Sequence, residues 1–176
     1  MARILLILFC LILILSLSAQ EFDNEKAGDI IQIVLPVSAF TSTFIWNKKQ
    51  NAPLQFVKTM GTSFVLTHSL KILINKKRPN GGNYSFPSGH TSAAFTGASF
   101  IEKRYGWKYG LPSYVLASYV GWSRVYANKH DYWDVCGGAI IGIGSSYLFT
   151  QPFDNNVTAN LGSYYNNPVL NLTINF

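Results

Sequence analysis

Charge is scarce in this 176-residue chain: Asp, Glu, Lys and Arg make up 12% of it, and only 8 residues are acidic. The resulting balance of +6 would suit nucleic acid if it formed a stripe. Many of the cations instead fall in or beside three short motifs, so attraction to phosphate or anionic lipid accounts for the balance, and no nucleic-acid partner is expected. Cysteine is nearly absent. Cys10 and Cys136 lack C-x-x-C or metal-ligand spacing, and they form no internal disulfide if the N-terminus is removed, so both read as small packing residues. No Lys or Arg follows Lys129, which leaves the C-terminal end without a basic anchor on a cytoplasmic face. Mean hydropathy is only +0.16, low for a multispan protein, whereas the sparse charge and the 15% aromatic content lean toward a membrane.

Against these absences stand three stretches. The first runs from Lys71 to Arg78-Pro79, the second is Pro87-Ser88-Gly89-His90, and the third is Ser123-Arg124 followed by His130 and Asp134. Phosphoryl transfer spreads negative charge over equatorial oxygens, and a protein lowers that barrier by positioning and preorganised positive potential. Lys71, Arg78 and Arg124 offer that potential, the arginines as planar paired donors and the lysine as a point charge. Pro79 disfavours helix at Arg78, so a helix carrying Lys71 is expected to end about there.

Pro87-Ser88-Gly89-His90 reads as a turn opening a helix near His90 or Thr91, with Ser88 as a cap and the first N–H groups as an anion cradle. His90 would stand ready to protonate a departing alkoxide, although the tetrapeptide alone fits an ordinary helix start. His130 and Asp134 are four apart and would share a helix face, the carboxylate fixing one ring nitrogen while the other attacks phosphorus. Taken alone, that pair also fits an unremarkable surface contact. Zinc is the rival use of two histidines and an aspartate, but three nearby cations raise the cost of a dication there, so no metal or other cofactor is expected. His68 lies in an apolar stretch and reads as a packed or interhelical residue.

The pattern K-x-x-x-x-x-x-R-P, P-S-G-H and S-R-x-x-x-x-x-H-x-x-x-D resembles that of the type-2 phosphatidic acid phosphatases, a family that shares its site with class A acid phosphatases and vanadium haloperoxidases. Each fixed position is met, at Lys71, Arg78, Pro79, Pro87 to His90, Ser123, Arg124, His130 and Asp134. The resemblance spans about residues 30 to 150. It implies a metal-independent phosphatase in which His130 is phosphorylated, Asp134 orients it and His90 protonates the leaving group. It also implies that Lys71, Arg78, Ser88, Gly89 and Arg124 hold the phosphoryl oxygens.

Arg3, the apolar run Ile4 to Leu17 and the exit Ser18-Ala19 fit a secretory signal cleaved after Ala19, or else a first membrane helix. Apolar segments near 30–46, 54–75, 91–102, 111–127 and 134–150 read as helices, with breaks at 48–53, 78–87, 103–112 and 127–131. Threaded through a membrane, they bring the three motifs to one face. Lys48, Lys49, Lys103, Arg104 and Lys108 fall on the other, as the positive-inside tendency asks. Glycines such as Gly97, Gly138 and Gly142 suit close helix packing. From Phe153 the helical period stops, and Leu170, Leu172, Ile174 and Phe176 alternate with polar residues as in a strand.

The expected protein is therefore all-α: a bundle of about five to six helices, membrane-embedded, with a strand-like or irregular tail. Residues 1–19 form the signal or first span, 20–152 the catalytic bundle and 153–176 the tail. The expected activity is hydrolysis of a phosphomonoester or diphosphate on a membrane lipid, at the periplasmic face of a bacterial inner membrane. A periplasmic, membrane-associated acid phosphatase acting on soluble esters is the alternative, and a non-catalytic phosphate-binding or scaffold protein is the alternative of another class. Nothing in the sequence bears on oligomeric state.

Overall fold

The computed structural model describes residues 23–45, 51–153, 157–164 and 167–174. The N-terminal signal or first span, Cys10, and Lys48 with Lys49 lie outside the described residues. Five helices occur among those described: α1 (Asn24–Ile45), α2 (Ala52–Ile74), α3 (Gly89–Tyr105), α4 (Trp107–Tyr126) and α5 (Tyr132–Phe149). Two antiparallel strands follow, β1 (Val157–Tyr164) and β2 (Asn167–Ile174).

Local chemistry sets most boundaries. Asp23 caps α1 by accepting from the N–H groups of Glu25 and Lys26. Helix α2 ends at Ile74 because Asn75 turns left-handed (φ 42°) and returns its N–H to the Lys71 carbonyl. The α3–α4 break is shorter than the expected 103–112. Gly106 alone, at φ 85°, separates the helices, and Pro112 sits inside α4. The strand-like tail is a hairpin whose register sets Val157 opposite Ile174, Ala159 opposite Leu172 and Leu161 opposite Leu170. Apolar positions thus alternate along both strands.

Helix α3 is the axle of the bundle, and each of the other four helices packs against it. From Thr91 to Ser99 its buried residues are small or hydroxylic, which lets neighbouring backbones come close. A Cβ on Gly97 would lie 2.7 Å from the α1 backbone at Leu35 and Pro36, and one on Gly142 would lie 2.7 Å from the Ser92 carbonyl oxygen. The interior is correspondingly polar. Ser63 Oγ is 2.7 Å from Ser92 Oγ, Thr67 Oγ1 is 2.8 Å from the same hydroxyl, and Thr96 donates to Ser63 at 2.8 Å. Pairing hydroxyls with one another removes the penalty of burying them.

The exterior is the reverse. Leu73 is 79% exposed, Leu148 73% and Ile140 70%, while Thr59, Thr96 and Ser123 have no exposure. Among the described residues, α1 alone is long and apolar enough by itself to cross a membrane. Several side chains depart from their expected places. His68 is exposed and stacks on Phe64 at 3.9 Å with Nδ1 against the Phe64 carbonyl, Cys136 is exposed rather than packed, and Arg104 is buried. For His68 and Cys136 this follows from which helix face meets α3, a matter that weak amphipathicity leaves open.

Candidate active site

The motifs meet at one end of the bundle, where α2 ends, α3 begins, α4 ends and α5 begins. His130 is not on a helix with Asp134, contrary to the shared-face expectation. It lies in the loop before α5, and Asp134 reaches it because Asp131 and Asp134 form a capping box. Asp134 N–H donates to Asp131 Oδ1 at 3.0 Å and Asp131 N–H donates to Asp134 Oδ2 at 3.1 Å, which folds the Asp134 carboxylate back over the helix start. The loop itself hangs from Arg124, whose carbonyl accepts from the N–H groups of Lys129 (3.1 Å) and His130 (3.3 Å).

His130 Nδ1 stands 3.3 Å from Asp134 Oδ2 and 3.3 Å from Ser85 Oγ. Ser85 donates its own hydroxyl proton to Asp134 Oδ2, so its lone pairs and the carboxylate both call for a proton on Nδ1. Nε2 is then the ring nitrogen with a free lone pair. Asp134 has no exposure, and its other oxygen accepts from Lys76 Nζ at 2.9 Å; the same lysine also reaches Asp131. Protein donors therefore reach both Asp134 oxygens. Burial, then the Lys71 charge, push the His130 imidazole down to about 4 against the pull of Asp134, so the ring is neutral at ordinary pH.

Around this ring stand Lys71 and Arg78, both close enough for their charge to act on it. Lys71 Nζ donates to the carbonyls of Tyr84 (2.9 Å) and Ser85 (3.4 Å). Arg78 lies in the tight loop after α2, its N–H donating to the Gly82 carbonyl at 2.6 Å. Its Nε is buried and has no hydrogen-bond partner among the described residues. Ser88 caps α3, accepting from Thr91 Oγ1 at 2.9 Å and from the Thr91 N–H. Its own N–H goes to the Asp134 carbonyl at 2.9 Å, which ties the second motif to the third. Gly89 passes beside Lys71, whose Cε would lie 3.7 Å from an added Cβ.

His90 and Arg124 form a second group. Arg124 is fully buried, donating from Nη1 to Asp29 at 2.6 Å, from Nη2 to the Glu25 carbonyl at 2.7 Å, and from Nε to Ser123 Oγ at 3.1 Å. His90 Nε2 meets the same Asp29 oxygen at 3.1 Å. All the residues singled out from the motifs are thus drawn into two adjoining clusters. Sequence reasoning missed Ser85, Asp131 and Asp29 and gave Lys76 no role. Only Asp131 carried a usable signal, as a cap residue three positions before an acidic one.

Residues 52–157 match the model of the PAP2 superfamily. The lipid A 4'-phosphatase of Helicobacter pylori strain J99 is 31% identical over 141 residues, covering 73% of this chain and 70% of the relative. Among solved structures, Aquifex aeolicus LpxE superposes with a TM-score of 0.61 at 24% identity over 74% of this chain and 87% of that one. The transmembrane PAP2-type phosphatidylglycerolphosphate phosphatase of Bacillus subtilis does so at 0.54 and 24%, over 82% and 92%. At these identities the structures speak for the fold alone.

Proposed function

The chain belongs to the PAP2 superfamily, and from that premise we propose that it is a metal-independent lipid phosphatase working through a phosphohistidine at His130. One observation carries this reading: an anchored, neutral imidazole faces two cations, one of which has a buried, unpartnered N–H. Phosphoryl oxygens would supply the missing acceptor for Arg78 Nε and displace the loop carbonyls from Lys71. The Nε2 lone pair of His130 forms the N–P bond as the P–O ester bond breaks, and the leaving alkoxide takes a proton from His90. Water then attacks phosphorus, His90 recovers the proton, and the P–N pair returns to His130. The products are an alcohol and inorganic phosphate. Asp134 stabilises the positive ring that forms at each step.

A lipid substrate is supported by the relative's name and by the inverted surface, apolar outside and hydroxylic within. Exposed Trp107 at one end of α4 and Trp122 and Tyr126 at the other lie about 22–28 Å apart along the helix, close to a hydrocarbon thickness of about 30 Å. Exposed Tyr132 and Trp133 stand at the level of the site. This belt favours a site at a membrane–water interface. Lys103 and Lys108, at the opposite end of the bundle from the motifs, favour placement of the site on the periplasmic side.

The test is phosphate release from phosphatidate, phosphatidylglycerol phosphate, undecaprenyl diphosphate, lipid A and soluble esters, with His130→Ala as control. Turnover of at least one lipid should persist in EDTA, stop with vanadate, and fall by roughly a thousandfold or more in the variant. Loss on chelation with recovery on zinc would overturn the metal-free reading, and turnover of soluble esters alone would overturn the lipid reading.

A further inference from the structure

Helix α1 supplies none of the three motifs and lies outside the segment 52–157 that matches the family model. Its second turn nevertheless carries a carboxylate that touches two of them. Asp29 Oδ1 is 3.1 Å from His90 Nε2 and 2.6 Å from Arg124 Nη1. The approach depends on the neighbouring Gly28, where a Cβ would lie 2.1 Å from Ser123 Oγ and 2.6 Å from Arg124 Nη2. Because Arg124 is buried and most of its other donors are engaged by Glu25 and Ser123, the guanidinium is a fixed post for Asp29.

We propose that Asp29 is a positioning residue for leaving-group departure, orienting the His90 ring and favouring its imidazolium form. The bundle then holds two carboxylate–imidazole pairs: Asp134–His130 for attack and Asp29–His90 for proton delivery. With Nε2–H committed to Asp29, Nδ1 of His90 carries the proton that the alkoxide takes. The charged groups that face His90 are Arg124, Lys129 and Asp29. Burial and the two cations hold the His90 ring below the ordinary imidazole range, and the one carboxylate works against them by favouring the positive form. Lys129 is itself paired with Glu25, also from α1. Arg124 accordingly serves this pair from within the protein, with most of its donors already committed.

The proposal rests on His90 being the general acid, and its test separates the two ideas by leaving group. An alkyl ester needs a proton on departure, whereas 4-nitrophenolate leaves without one. Asp29→Asn should lower kcat/KM for dioctanoyl phosphatidate by about 10- to 100-fold while changing that for 4-nitrophenyl phosphate by less than about threefold. The alkaline limb of the alkyl profile should also move to lower pH. The ratio of the two constants does not depend on how much protein is correctly folded. Asp29→Glu, which keeps the charge, should hold the ratio near wild type, and Asp29→Asn should leave it unchanged in a His90→Ala background. An equal loss on both substrates, or no loss, overturns the role of Asp29 while leaving the phosphatase reading intact. A wild-type protein that releases phosphate from neither ester overturns both.

Discussion

Replacing Asp134 by Asn keeps the outline of the side chain and removes the charge that faces the ring of His130. In the ground state that ring is neutral, so the carboxylate does little beyond orienting it. Once Nε2 bonds to phosphorus the ring gains close to a full positive charge, with Oδ2 3.3 Å from Nδ1. At an effective dielectric of about 20, two unit charges at that separation attract by about 5 kcal/mol. Lys76, 2.9 Å from the other Asp134 oxygen, cancels part of this. About 3–4 kcal/mol is then expected to remain, which corresponds to roughly 10²- to 10³-fold in kcat/KM. The assay is initial-rate phosphate release from a lipid that the wild type turns over, with thermal melting as the control for the lost capping-box acceptor. A variant that melts normally yet loses less than about tenfold would refute the idea that this carboxylate stabilises charge on His130.

Further expectations follow from the same geometry. Ser85→Ala removes one hydrogen bond to a charged group, worth about 1.5–3 kcal/mol, so kcat/KM should fall by about 10- to 100-fold. Wild-type rates on a soluble aryl ester would show whether that loss is independent of lipid presentation. Because the folded ring of His130 titrates at about 4 rather than 6.5, kcat/KM should hold down to about pH 4. Over the same window the unfolded chain takes up a proton that the folded ring refuses, so stability from this group is full above about 6.5 and is lost as pH falls toward 4. A rate profile that breaks near 6.5, with no such limb at lower pH, would contradict the buried neutral ring. Gly28→Ala forces a methyl against Ser123 and Arg124, and should cost about 1–3 kcal/mol in denaturant or thermal unfolding together with activity on alkyl esters.

The motif residues were legible in the linear chain because their positions are set locally. Ser88 caps the helix that begins at Gly89, Asn75 stops the helix that carries Lys71, and Pro79 keeps Arg78 in a loop. Such features depend on dihedral preferences within a few residues, so spacing alone reports them. The five helical segments and the alternating tail were legible for the same reason. His68, Cys136 and Arg104 were not, because apolar residues cover the outside of this bundle while Ser, Thr and Gly fill the inside. When both faces of a helix are apolar or small, periodicity no longer tells inside from outside.

What the sequence determined by itself was the inventory for phosphoryl chemistry and the order of helices that carries it. Tertiary structure alone decided the partners of that inventory: Ser85 and Lys76 on Asp134, and Asp29 on His90 and Arg124. Those pairs join residues 49 to 95 positions apart. The Asp29 contacts require α1 to lie against α4 closely enough that Gly28 meets the Arg124 guanidinium. That closeness is a property of how four helices pack around α3, and no local stretch of chain encodes it.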